Sequence, residues 1–419
     1  MIKYIKENSY EKFKAAVTSQ RTNSGTLERA DASMECRTEA EAWHGAGSGW
    51  QQNLKAIVKS SWLNLLHFFF PIAIAVKATD QSGPVVLTIC ALALIPLSAN
   101  LTYATEQLSF QLGQSMSALI NITFSNLVEF ILYIIALTKN EVSLIQASII
   151  GSVLSNVLLQ LGTSFILGGI LRKSQVFAAC AAGYYSSVLV VASISLLLST
   201  LVTRLDPALP VSNVLSFSRG VSVIFLLCYS LYILFQIKTH SSLFTTHLEH
   251  EIIAANSVIR AKIAKRYAVA LLVISTGCLS LLSEFLTDAI SEIIKSTTLS
   301  TGFVGMIFLP TIANASQIYI ALAMATKDKM SISVGTSLGS GMQILLLVTP
   351  LLVLIGWWTH KELALTFPML TVTVLAMTSL LLCHLLRDGR SDYFKGVLLI
   401  SLYFVTAIVV FYVSDASVM

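Results

Sequence analysis

Ser125-Asn126-Leu127-Val128-Glu129 and Ala313-Asn314-Ala315-Ser316-Gln317 each lie inside an apolar run, and the same landmarks follow both. Thr138-Lys139-Asn140 comes after the first and Thr326-Lys327-Asp328 after the second; then come Gly151-Ser152 and Gly339-Ser340. From asparagine to lysine is 13 residues in both copies, and from asparagine to serine is 26. Three short strings at identical offsets imply an internal duplication. Outward from these strings, apolar stretches long enough to cross ~30 Å of hydrocarbon recur. Eleven are expected, at about 61–77, 84–106, 116–138, 143–171, 176–203, 212–237, 267–289, 302–326, 331–357, 362–386 and 393–413. The polar stretch 238–266 divides the last ten into two groups of five. Since five is odd, the two copies insert with opposite orientation. The expected fold is therefore an all-α polytopic membrane protein of eleven transmembrane helices. One extra N-terminal helix precedes two inverted five-helix repeats, at 84–237 and 267–413.

The composition agrees. Of 419 residues, 55% are hydrophobic and 12% charged, about half the ~25% charge of a soluble domain. Residues 1–60 hold 16 of the 49 charges, so this polar, Ser/Thr/Glu/Gly-rich tail is expected to be disordered. The remaining 359 residues carry too few charges to cover a soluble surface. No basic run with interleaved aromatics occurs, which argues against nucleic-acid binding. Five of the six cysteines lie in apolar runs and none has metal-ligand spacing. No short apolar region follows a basic start, so a cleavable leader is not expected. Leaving out the tail, one set of connections carries 12 Lys/Arg and the other 6. The positive-inside rule then makes the tail and the 238–266 loop cytosolic and the C-terminus luminal. Oligomeric state, homo-oligomers included, is left open.

Ionisable residues inside spans cost at least ~2.5–3.5 kcal/mol each at a helix centre. The acidic residues well inside the spans are Glu106, Glu129, Glu284 and Asp288. Asn126 and Glu129, three apart, share a helical face, and Asn314 and Gln317 repeat that spacing. The next span of each copy offers Ser152 and Ser155, or Ser340 and Gln343, in stretches loosened by Gly151, Gly335, Gly339 and Gly341. Carboxylate, amide, hydroxyl and carbonyl oxygens make a shell for a hard cation such as Ca²⁺. The absence of thiolate or imidazole argues against zinc or copper. A lone Asn or Ser in a membrane helix is ordinarily a helix–helix partner. Glu129 differs, because a buried carboxylate with no basic residue in neighbouring spans calls for a cation or proton. Glu284 and Asp288 lie near a span end, where a solvated boundary position explains them equally well; Glu106 is similar. His247, Glu249, His250 and Glu251 form a further polar group, read first as an exposed helix start and second as a metal site of two His at i, i+3 with Glu. No catalytic triad, phosphate loop or cofactor fingerprint occurs, so neither an enzyme nor a resident cofactor is expected.

These residues resemble the calcium/proton exchanger branch of the calcium/cation antiporter superfamily, over roughly 60–415. The matching strings include Ala104-Thr105-Glu106, the Asn126/Glu129 segment, Gln146-Ala147-Ser148 through Ser155-Asn156, Ser218-Arg219-Gly220, Ser283-Glu284-Phe285-Leu286 and Lys327-Asp328-Lys329-Met330. The resemblance implies eleven helices and movement of cytosolic Ca²⁺ into a vacuole or similar acidic store against returning protons. It also implies a cation site of Asn126, Glu129, Ser152, Ser155, Asn314, Gln317, Ser340 and Gln343, with Glu106, Glu284 and Asp288 along the access paths. Both family repeats read Gly-Asn-x-x-Glu. This chain has Ser125 and Ala313 for the glycines and Gln317 for the second glutamate. A glutamine keeps a carbonyl ligand but carries neither charge nor an exchangeable proton. Weaker Ca²⁺ binding, altered stoichiometry or a monovalent cation are the expected consequences. A transport-impaired membrane regulator is the alternative of another class.

Overall fold

The computed structural model describes residues 50–79, 81–111, 120, 123–240, 243, 263–296 and 300–413. The tail up to residue 49 and the His247–Glu251 group lie outside the described residues. Thirteen helices are named here. They are α1 Trp50–Val58, α2 Leu63–Ala78, α3 Gly83–Ser109, α4 Leu127–Thr138, α5 Val142–Leu171, α6 Ala179–Leu205 and α7 Val211–Thr239. After the central loop come α8 Lys265–Ser296, α9 Thr301–Ala313, α10 Ala315–Thr326, α11 Met330–Trp358, α12 Met369–Leu385 and α13 Tyr393–Tyr412. By length and composition, seven of these could cross a membrane (α3, α5–α8, α11 and α13), or up to nine with α1/α2 and α9/α10 each taken as one bent span. The shorter apolar helices are α4 and α12.

Three departures from the hydropathy reading have local causes. The tail ends earlier than residue 60, because Trp50–Val58 is helical and Asn53, buried, accepts a bond from the Ala264 amide at 3.0 Å. The segment starting at 362 becomes helical only at Met369, after Pro368. Proline lacks the N–H that an earlier turn would need. The preceding strap is instead fastened by side chains of the first half. Leu365 N donates to Ser218 Oγ at 3.0 Å, Phe367 N to Thr200 Oγ1 at 3.1 Å, and Gln146 Nε2 to Thr366 O at 2.7 Å. The run 302–326 is two helices meeting at 54°.

Helices occupying corresponding places in the two halves pack on one another: α3 lies along α8, and α6 along α12. α5 crosses α9 and α11 at the centre. The α5–α9 crossing requires glycine, since a Cβ on Gly151 would stand 2.1 Å from Met306 O and one on Gly305 2.8 Å from Ala147 Cβ. A two-stranded antiparallel ribbon, β1 Gln175–Val176 and β2 Arg390–Ser391, ties two connections together.

Candidate functional site

The sequence strings that match at fixed offset also share local geometry. α4 and α10 each have twelve residues and begin directly after an asparagine that interrupts the helix. Asn126 has φ −111° and ψ 28°; Asn314 has φ −86° and ψ 0°. Both helices end before a residue in the left-handed region, Asn140 (φ 60°) and Asp328 (φ 62°). Asn and Asp tolerate that conformation because their short side chains bond locally. Each of α5 and α11 contains a π-helical turn at the same relative place, Ser155–Gln160 and Ile344–Val348. Interrupted helices and π turns free backbone polar groups, which inside a membrane is tolerated where protein or a polar cavity receives them.

Glu129 stands in the first turn of α4 and is fully buried. The positive end of the helix dipole favours a carboxylate there. Gln317, in the first turn of α10, donates from Nε2 to Glu129 Oε1 at 3.3 Å and to Ser125 O at 3.0 Å. Ser340 Oγ donates to Gln317 Oε1 at 3.0 Å. Gln343 Oε1 accepts from Asn126 Nδ2 at 2.7 Å and from Ser125 Oγ at 2.5 Å. Asn126 Nδ2 also reaches Ser340 O at 3.3 Å. One network thus joins Asn126 and Glu129 of the first half to Gln317, Ser340 and Gln343 of the second. Ser152 is drawn elsewhere: its hydroxyl lies 2.7 Å from Tyr133 OH, which also contacts Ser148 O at 3.0 Å. Ser155 is buried at the start of the π turn, and Asn314 is buried at the α9/α10 break.

Glu129 Oε2, Asn126 Oδ1 and Asn314 Oδ1 are buried and have no hydrogen-bond partner among the described residues. A buried polar atom left so costs free energy. Oxygens of this type are the donors a hard cation takes, so the donor set fits such a cargo. Among the described residues no group of three His, Cys, Asp or Glu is placed so as to hold a metal ion. Any cation held here therefore meets one carboxylate and neutral oxygens.

A cavity of about 260 Å³ borders this network, lined by Ser125, Gln317, Ser340 and Gln343 together with Thr102, Tyr185, Tyr232 and Gln236. The last four were not singled out as ligands from the sequence. Tyr185 and Tyr232 resemble ordinary core aromatics at helical spacing, and only folding sets their rings 6.0 Å apart, with Gln236 Nε2 donating to Tyr185 OH at 3.2 Å. Tyr133 had a usable signal, being four residues from Glu129 and so on the same face.

The access-path residues are placed differently. Glu106 is exposed on α3 and does not line the cavity. Asp288 pairs with Lys77 at 3.2 Å and with Lys139, which also lies 4.0 Å from Glu284. Nearby, Gly83 N donates to Glu292 at 2.9 Å and Ser291 to Glu141 at 2.7 Å. This ion-pair cluster gathers the start of α3 and the ends of α2, α4 and α8. The cavity lies toward the other ends, near Thr102 of α3, Gln236 of α7 and Gly335 of α11.

A helical bundle with interrupted helices meeting at a buried carboxylate defines a multi-pass membrane protein of the ion-exchanger class. The chain belongs to the sodium/calcium exchanger protein family, which it matches over residues 82–238 and 267–412. It is 32% identical over 361 residues to a vacuolar calcium ion transporter of Schizosaccharomyces pombe, covering 85% of this chain and 86% of that one. It is 36% identical over 368 residues to vacuolar cation/proton exchanger 1 of Arabidopsis thaliana, covering 86% and 79%. Among solved structures, native YfkE superposes with a TM-score of 0.72 at 26% identity, covering 84% of this chain and all of that one. Another structure of YfkE is described as that of a Ca²⁺/H⁺ antiporter. Members of the family are transporters, not enzymes.

Proposed function

We propose that this protein is a secondary active antiporter moving a cation, Ca²⁺ first, from the cytosol into an acidic store such as the vacuole in exchange for protons. The observation that carries the reading is Glu129: fully buried, bonded to the opposite half through Gln317, with Oε2 unpartnered among the described residues. Ionised Glu129 and the oxygens of Asn126, Asn314, Gln343 and their neighbours hold the cation. Protonation of Glu129 on the acidic side removes the charge that retains it. Vacuolar relatives from yeast and plant support both the cargo and the membrane.

In the eleven-span topology, with the N-terminus cytosolic and the C-terminus luminal, the cavity faces the cytosolic ends and the Lys77–Asp288–Lys139 cluster closes the luminal ends. Alternating access then requires α3 and α8 to move past the central α4, α5, α10 and α11. Asp288 and Glu284 act on this path at the closed end. A monovalent cation is the second reading, favoured by the neutral Gln317. The deciding experiment reconstitutes the purified protein in proteoliposomes with an imposed pH gradient and compares Ca²⁺, Mn²⁺, Na⁺ and K⁺. Proton-coupled flux of one of them is expected; flux of none would remove the antiport reading.

A further inference from the structure

We propose that each cation exchanges for a single proton, so that carrying one Ca²⁺ moves one net positive charge across the membrane. The proposal rests on the antiport reading above. A carrier can couple only as many protons as its site has groups that gain and lose one when the cation leaves and enters. Glu129 is the sole Asp, Glu, His, Lys or Arg that is buried among the described residues. Residues 112–122, which complete the run leading to Asn126, read LGQSMSALINI and contain no such side chain.

Among the described residues, the surroundings of Glu129 supply no second group. Its helix packs against α5, α8, α9 and α11. α5, α9, α11 and also α10 contain no Asp, Glu, His, Lys or Arg. α8 brings Glu284 and Asp288, but their side chains are 53% and 40% exposed and face Lys139 and Lys77; its other charged residues, Lys265, Arg266, Glu292 and Lys295, are exposed. His67 on α2 has both ring nitrogens occupied, by Asn64 O and Asn100, and α2 packs on α3.

Gln317 shows how a site with one titratable group stays connected. Its Oε1 accepts from Ser340 at 3.0 Å, which turns its N–H toward Glu129. An amide there donates as a protonated carboxylic acid would, and it does so in both halves of the cycle without releasing the proton. The charge balance follows. With Ca²⁺ bound, the site holds +2 from the ion and −1 from Glu129, a net +1. With a proton bound it is neutral. The cation-loaded transit therefore carries the charge and the proton-loaded transit carries none.

The test uses the full chain in proteoliposomes, with the membrane potential set by a K⁺ gradient and valinomycin. The Ca²⁺ ratio at which net flux reverses is measured against the pH difference. One proton gives about a tenfold change in that ratio per pH unit at zero potential, and about tenfold per 59 mV of potential at fixed pH. A change of about a hundredfold per pH unit, with no response to potential, overturns the proposal while leaving antiport intact. If the cargo is K⁺ or Na⁺, one-for-one exchange gives tenfold per pH unit and no voltage response. Absence of pH-driven flux of any of these ions overturns antiport and this proposal together. Gln317→Glu is expected to raise the Ca²⁺ slope to about a hundredfold per pH unit and abolish the voltage response. The wild-type slope decides the question even if that variant fails to fold.

Discussion

Leu127–Thr138 and Ala315–Thr326 are helices of equal length, each entered through an interrupting asparagine and left through an Asx residue in the left-handed region. Their chemistry differs at matched positions: Glu129 against Gln317, and Tyr133 against Ala321. On the neighbouring helices Ser155 is matched, at the same offset, by Gln343. The backbone tolerates these changes because the break depends on the asparagine and on crossing helices, not on the side chain one turn further in. The comparison teaches that two helices can share their geometry while charge and hydrogen-bond donors are distributed unequally over them.

The largest effect is expected from erasing the charge difference. Glu129→Gln should abolish pH-driven cation flux in proteoliposomes, by about a hundredfold or more, because the exchangeable proton is lost. Retained flux would mean that Glu129 is not the group that exchanges the proton. Gln317→Glu equalises the helices in the other direction. At ~4 Å and an effective dielectric near 20, a second unit negative charge is worth up to ~8 kcal/mol toward a divalent cation, before desolvation and repulsion by Glu129 are subtracted. The half-saturating Ca²⁺ should therefore fall roughly tenfold, read from initial rates. An unchanged value would mean that residue 317 does not face the ion.

Packing separates the halves as well. Gly151→Ala places a methyl against the Met306 carbonyl, and forced overpacking costs about 1–3 kcal/mol. A Cβ on the matching Gly339 meets the Tyr185 ring at 3.6 Å, ordinary contact. Thermal unfolding in detergent should show a clear loss for the first and little for the second; equal losses would contradict the asymmetry. The smallest effect belongs to Tyr133→Phe, which releases the Ser152 hydroxyl. A net hydrogen bond of about 1 kcal/mol corresponds to a few-fold change in half-saturating cation with maximal rate preserved.

Much of this was legible in the chain. Apolar runs give long helices because backbone polar groups in hydrocarbon must be paired within the segment, and α3, α5–α8, α11 and α13 stand where hydropathy puts them. The matched strings mark Asn126, Glu129, Gln317 and Ser340, and with Gln343 of the same span these fold into one network. Other features were not legible. The 54° break at Asn314 follows from no periodicity in that run. Ser152 could not be assigned to Tyr133 in place of Glu129, since both lie on one face and only the helix crossing selects between them. Asp288 and Lys139 are far apart in sequence, so their pairing needed α4 to lie against α8.

By itself, then, the sequence determined the kind of solvent this protein occupies, the matched strings at equal offsets and the short list of carboxylates within its spans, because hydropathy, residue offsets and charge are properties of the linear chain. The tertiary structure alone decided which carboxylate is buried, which oxygens meet it, which hydroxyl is withdrawn from it and which end of the bundle carries the ion-pair cluster. Those outcomes depend on how helices cross, and crossings are set by contacts such as Gly151 on Met306 that join residues distant along the chain.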